Sequence, residues 1–77
     1  MNLDELVESA AFELVGLHPD DQRAALSTAC ECFAEGLQLA RPELTANDIR
    51  CACYKLARRV RARLREIEAQ QVSASVH

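Results

Sequence analysis

The stretch Leu44-Thr45-Ala46-Asn47-Asp48-Ile49 decides how this chain folds, because it carries three helix-start signals at once. Thr45 stands where an N-cap hydroxyl accepts from a free backbone N–H, and Asp48 stands three residues on, where its carboxylate reaches back to the cap. Leu44 and Ile49 flank the pair as a hydrophobic staple. Just upstream, Pro42 makes Arg41 unfavourable as a helical residue, so the preceding helix ends near Ala40. A loop this short between two long helical patterns predicts a hairpin.

Working outward, Pro19 suits a first helical position, and Asp20 and Asp21 then favour the positive end of the helix dipole. The second helix is expected over 19–40. Asn2 reads as an N-cap with Glu5 three residues on, which starts a first helix over 3–17. The third helix is expected over 46–70, leaving residues 71–77, His77 included, as a flexible tail. The predicted fold class is all-α: a single domain over 1–70, built as a three-helix antiparallel bundle with a short first helix and a hairpin of two long ones.

Periodicity assigns the core. One stripe of the second helix carries Leu26, Cys30, Phe33, Leu37 and Ala40. One stripe of the third carries Ile49, Cys53, Leu56, Val60, Leu64 and Ile67. Folding back at the loop pairs Leu37 with Ile49, Phe33 with Cys53, Cys30 with Leu56 and Leu26 with Val60, which sets the cysteines Cys30 and Cys53 at different levels and makes a disulfide between them awkward. The first helix is expected to bury Leu3, Leu6, Val7, Ala10, Leu14 and Leu17. It reaches only to about Phe33, so the hairpin end near Leu37, Leu39, Leu44 and Ile49 is left uncovered.

A chain of 77 residues forms a core that leaves only about 3–5 kcal/mol of net stability. Together with the uncovered end, this predicts a homodimer. The expected interface comprises Cys32, Gly36, Leu37, Leu39, Leu44 and Ile49. The small residues Ala25, Ala29, Cys32 and Gly36 form a flank of the second helix that seats the first helix at one end and a second subunit at the other.

The four cysteines come as C-x-C pairs, Cys30/Cys32 and Cys51/Cys53. Two helical residues turn about 200°, so the members of each pair point apart and one metal could take only one ligand from each. The expectation is reduced thiols with no metal and no cofactor; exposed Cys51 or Cys32 as a thiol sensor is a weaker alternative. Neither His18 nor His77 has a nucleophile and an orienting acid beside it, and no glycine-rich phosphate loop or nucleophile elbow occurs. No catalytic residue is therefore assigned. No apolar run approaches a membrane span and the start lacks a secretory signal, so a cytoplasmic protein without membrane contact is expected.

Charge divides by position. Residues 1–48 hold ten acids against Arg23 and Arg41, whereas Arg50, Lys55, Arg58, Arg59, Arg61, Arg63 and Arg65 follow without an intervening acid. Winding this run onto a helix splits it. Lys55, Arg59 and Arg63 flank the buried stripe within reach of Glu8 and Glu13. Tyr54, Arg58, Arg61 and Arg65 form an outer stripe suited to carboxylate or phosphate.

Phe12 lies opposite the apolar stripe of its helix and offers an aromatic anchor. The partner-binding residues read from sequence are thus Phe12, Leu39, Tyr54, Arg58, Arg61 and Arg65. The expected function is that of a small non-enzymatic interaction protein that regulates or inhibits a cytosolic protein bearing an acidic patch. Adaptors and inhibitors carried by phages or plasmids share its size and shape. The alternative is a nucleic-acid-binding regulator using the outer basic face, against which stand the acidic first two helices and the net charge of −3.

Overall fold

Three helices follow from these signals in the computed structural model, which describes residues 2–75: α1 (Leu3–Leu14), α2 (Pro19–Ala40) and α3 (Ala46–Ser75), with no strand among those residues. The Thr45–Asp48 capping box forms in full. Asp48 N donates to Thr45 Oγ1 at 3.1 Å, and Thr45 N donates to Asp48 Oδ2 at 3.0 Å. Asn2 caps α1 by accepting from Glu5 N at 2.8 Å. At the start of α2, ahead of Pro19, His18 Nδ1 accepts from Asp20 N at 3.2 Å.

Two boundaries differ from the sequence expectation. α1 stops at Leu14, three residues before Leu17, because Gly16 adopts a φ of +86° and turns the chain. Gln22 of α2 then reaches back and donates from Nε2 to the Leu14 carbonyl at 3.0 Å, tying the end of one helix to the start of the next. α3 runs on to Ser75, through most of the segment expected as a tail. His77 lies outside the described residues.

The core sits where all three helices overlap. Val7, Ala11 and Leu14 of α1, Leu26 of α2, and Leu56, Val60, Leu64 and Ile67 of α3 form one buried cluster, with Val60 and Ala11 fully enclosed. Leu6, Ala10, Cys30, Phe33 and Ala57 pack on its margin. Leu3 and Leu17, expected inside, are 43% and 41% exposed. Leu17 falls beyond the end of α1, and Leu3, its first residue, lies at the rim of the core.

α2 is the weakly held element: among its 22 residues only Leu26 is buried. Its register on α3 is also one turn away from the expected pairing. Cys30 meets Cys53, not Leu56, each sulfur lying against the other residue's carbonyl. The chain turns at once after Ala40, with Leu44 N bonded to the Arg41 carbonyl at 3.1 Å, so the pairing centres nearer Arg41 than Glu43. Ala40, placed on the core stripe by periodicity, is exposed at this turn.

Replacing Val60 by Ala should cost about 2 kcal/mol by removing methyl groups from the enclosed layer, enough to unfold a visible fraction of so small a domain in thermal or urea melts. Thr45→Ala should cost about 1 kcal/mol through loss of the cap. The Asp48 carboxyl is held below its ordinary range, chiefly by the Thr45 backbone N–H and then by the Thr45 side chain. A carboxylate lowered by folding contributes stability that is present above its unfolded value and lost as pH falls through its folded value. The acid side of the stability profile should therefore be shallower in Asp48→Ala than in the native chain, as read by circular dichroism.

Candidate functional site

The basic run of α3 is consumed on one side and left open on the other. Toward α1, Arg59 pairs with Asp4, and Arg63 Nε lies 2.8 Å from Glu8 Oε1 while its Nη1 lies 3.1 Å from Glu66 Oε2. The Arg63 Nε is shielded from water and close to Glu8 without the alignment of a hydrogen bond. The hydrogen bond to Glu66 first and the adjacent Glu8 carboxylate second raise the proton affinity of Arg63. Sequence had named Glu8 and Glu13 as the neutralising acids. Asp4 and Glu8 take that role, because Glu8 sits one helical turn beyond Asp4 just as Arg63 sits one turn beyond Arg59.

Toward α2, the picture is reversed. Arg61 and Arg65 were assigned to an outer stripe with Tyr54 and Arg58. All four are exposed on one stripe of α3; Arg61, Arg65 and Tyr54 also edge a groove between α2 and α3, and Arg58 is not among its lining residues. The groove runs in two connected stretches. One is lined by Arg23, Arg61, Arg65 and Glu68 over Leu14, Leu26 and Leu64; the other by Arg23, Arg50, Arg61 and Tyr54 over Cys30, Cys53 and Ala57. Arg23 keeps an ion pair with Asp20 of its own helix. Arg50, Arg61 and Arg65 have no ion pair among the described residues. Tyr54 is 63% exposed at the rim.

Arg23 and Arg50 are the members that sequence reasoning missed. Their signal was spacing: Arg23 precedes the buried Leu26 by three residues, and Arg50 precedes Cys53 by three, so each is carried to the edge of a helix–helix contact. On the groove floor, burial pushes the Cys30 thiol above its ordinary range, the Cys53 charge adds to this, and Arg61 opposes it.

A second, apolar groove opens at the other end. Leu3 and Leu6 of α1 face Phe33, Gly36 and Leu37 of α2. Of the residues assigned to a subunit interface, Gly36 and Leu37 line this groove, Leu44 and Ile49 are half-buried at the hairpin loop, and Cys32 is exposed outside it. Leu39 is 85% exposed and Phe12 58%, separate from both grooves. Ala25 and Ala29, from the near part of the small-residue flank, line a small gap between α2 and α1 together with Ala10 and Leu14.

Among the described residues no three His, Cys, Asp or Glu side chains converge as metal ligands, and no helix is long and apolar enough to cross a membrane. Comparison with protein-family models, curated proteins and solved structures finds no match to this chain.

A Cβ built at Gly36 would meet nothing within 4 Å, so nothing in this chain requires glycine in the middle of α2. Gly36→Ala should stabilise the isolated chain by about 0.5–1 kcal/mol, measured as a raised midpoint in thermal melts at low protein concentration.

Proposed function

We propose that this chain is a non-enzymatic interaction protein, an antiparallel three-helix bundle that pairs as a homodimer at its apolar end. It regulates or inhibits a cytoplasmic protein by holding an acidic segment of that protein in the α2–α3 groove. The observation that carries this reading is the groove itself, where four arginines from two helices border an apolar floor and Glu68 is the single acid on its lining. Guanidinium groups bind carboxylates in bidentate fashion, and an apolar floor accepts leucine-like side chains between them. An amphipathic acidic segment satisfies both demands at once.

Nucleic acid fits the same surface less well. A phosphate backbone offers nothing apolar to Leu26 and Leu64, and the exposed acids Glu31 and Glu35 of α2, with the net charge of −3, repel a long polyanion. For dimerisation, the supporting features are the open Leu3–Leu6–Phe33–Leu37 groove and the exposed Leu39 beside a core of few residues. Phe12 offers a further aromatic contact to a partner.

Affinity capture from the native host should retain a protein that elutes with salt, and Arg61→Glu/Arg65→Glu should weaken its binding about tenfold or more. If instead the native protein shifts duplex DNA or RNA at low salt, and Arg58→Glu/Arg61→Glu/Arg65→Glu abolishes that shift, the nucleic-acid reading replaces this one. Sedimentation at micromolar concentration should show a dimer that Leu39→Asp dissociates. A monomer unaffected by that change removes the dimer from the proposal.

A further inference from the structure

Two thiols from different helices share the floor of the basic groove. Cys30 Sγ of α2 donates to the Cys53 carbonyl at 3.8 Å, and Cys53 Sγ of α3 donates to the Cys30 carbonyl at 3.6 Å. This reciprocity places residues 30 and 53 opposite each other across one helix–helix contact, with each sulfur directed at the other residue. A cystine bridge requires that kind of opposition. Both are free thiols and half-buried, and the groove edged by Arg23, Arg50 and Arg61 opens onto them. Cys32 and Cys51 are exposed, each about 200° around its helix from its sequence neighbour. Neither can reach the same bond.

We propose that Cys30 and Cys53 form a reversible redox site, a disulfide clasp between α2 and α3 made by exchange with a small anionic disulfide of the oxidised-glutathione class. One cysteine thiolate attacks a sulfur of the small disulfide, forming a mixed disulfide and expelling one thiolate. The second cysteine thiolate attacks the protein sulfur of that mixed disulfide, closes the Cys30–Cys53 bond and expels the other. Two electrons pass from the cysteine pair to the oxidant, and the two thiol protons end on the two small thiols released. The arginines at the rim favour an oxidant carrying carboxylates, and Arg61 offsets part of the burial that keeps the Cys30 thiol protonated. α2 contributes a single buried residue, Leu26, to the core, so the clasp fixes the most loosely held helix along the length of the groove. Among cytosolic proteins such bonds are characteristically transient and redox-sensing. This inference goes beyond the binding reading and stands whether or not the groove holds a partner.

The test uses the full chain carrying Cys32→Ser and Cys51→Ser, incubated with oxidised glutathione. Expected are loss of both free thiols, a mass lower by two hydrogens, a proteolytic fragment joining residues 30 and 53, and a monomer-normalised melting midpoint raised by on the order of 10 °C. Dithiothreitol should reverse all four. With Cys53→Ser added, oxidation should stop at a mixed disulfide on Cys30 and the midpoint should stay put; circular dichroism before oxidation checks that this variant is folded. Thiols that remain free, stable glutathione adducts on both cysteines, or a bond between two copies of the chain would each overturn the proposal.

Discussion

Everything in this molecule depends on one short layer of overlap, in which Val7, Ala11 and Leu14 of α1 close over Leu56, Val60, Leu64 and Ile67 of α3. α3 has 30 residues and is therefore about 45 Å long, whereas α1 has 12 and covers less than half of it. Burial is deep only where the short helix lies. α3 accounts for most of the 53 Å long dimension, and the end of α2 and α3 beside their connecting loop has two helices to bury surfaces that would need three.

That limited overlap also apportions the charge. By lying beside α3, α1 brings Asp4 to Arg59 and Glu8 to Arg63, and these pairs neutralise one flank of the basic run. Exposed pairs of this kind contribute little to stability. Their effect is to settle which cations remain. Arg50, Arg61 and Arg65 remain on the flank toward α2, which adds Arg23 but packs too loosely to close the space between. The groove is thus a by-product of the same shortage of cover that exposes Leu3 and Leu39. An acidic helix and a basic helix joined in one chain produce a surface that is neutral on one side and cationic on the other.

Much of the fold was legible because it is written in local chemistry. Thr45 and Asp48 are three residues apart, Asn2 and Glu5 likewise, and Pro19 and Pro42 bracket the second helix; each acts within a single turn, so no tertiary contact is needed to read it. The candidate site was legible by halves. Arg61, Arg65 and Tyr54 were chosen from the helical wheel of α3 alone, which gives the angle around one helix but not the position of its neighbour. Once α2 is in place they edge a groove, while Arg58, on the same stripe of α3, is not part of its lining. Arg23 went unnoticed because its role arises on a different helix, and Gly16 because a positive φ within an apolar stretch gives no sign until the turn is made.

By itself, then, the sequence determined three helices, their starts, and most of the apolar stripe of each, since caps, prolines and a 3.6-residue period are properties of neighbouring residues. Only the tertiary structure decided how far one helix slides along the next. The stripe on α2 and the stripe on α3 repeat every turn, so sliding by one turn keeps apolar against apolar and changes little in burial. The tight turn at Arg41–Leu44 selected one of those equivalent registers. It set Cys30 opposite Cys53 and gathered Arg23, Arg50 and Arg61 around them.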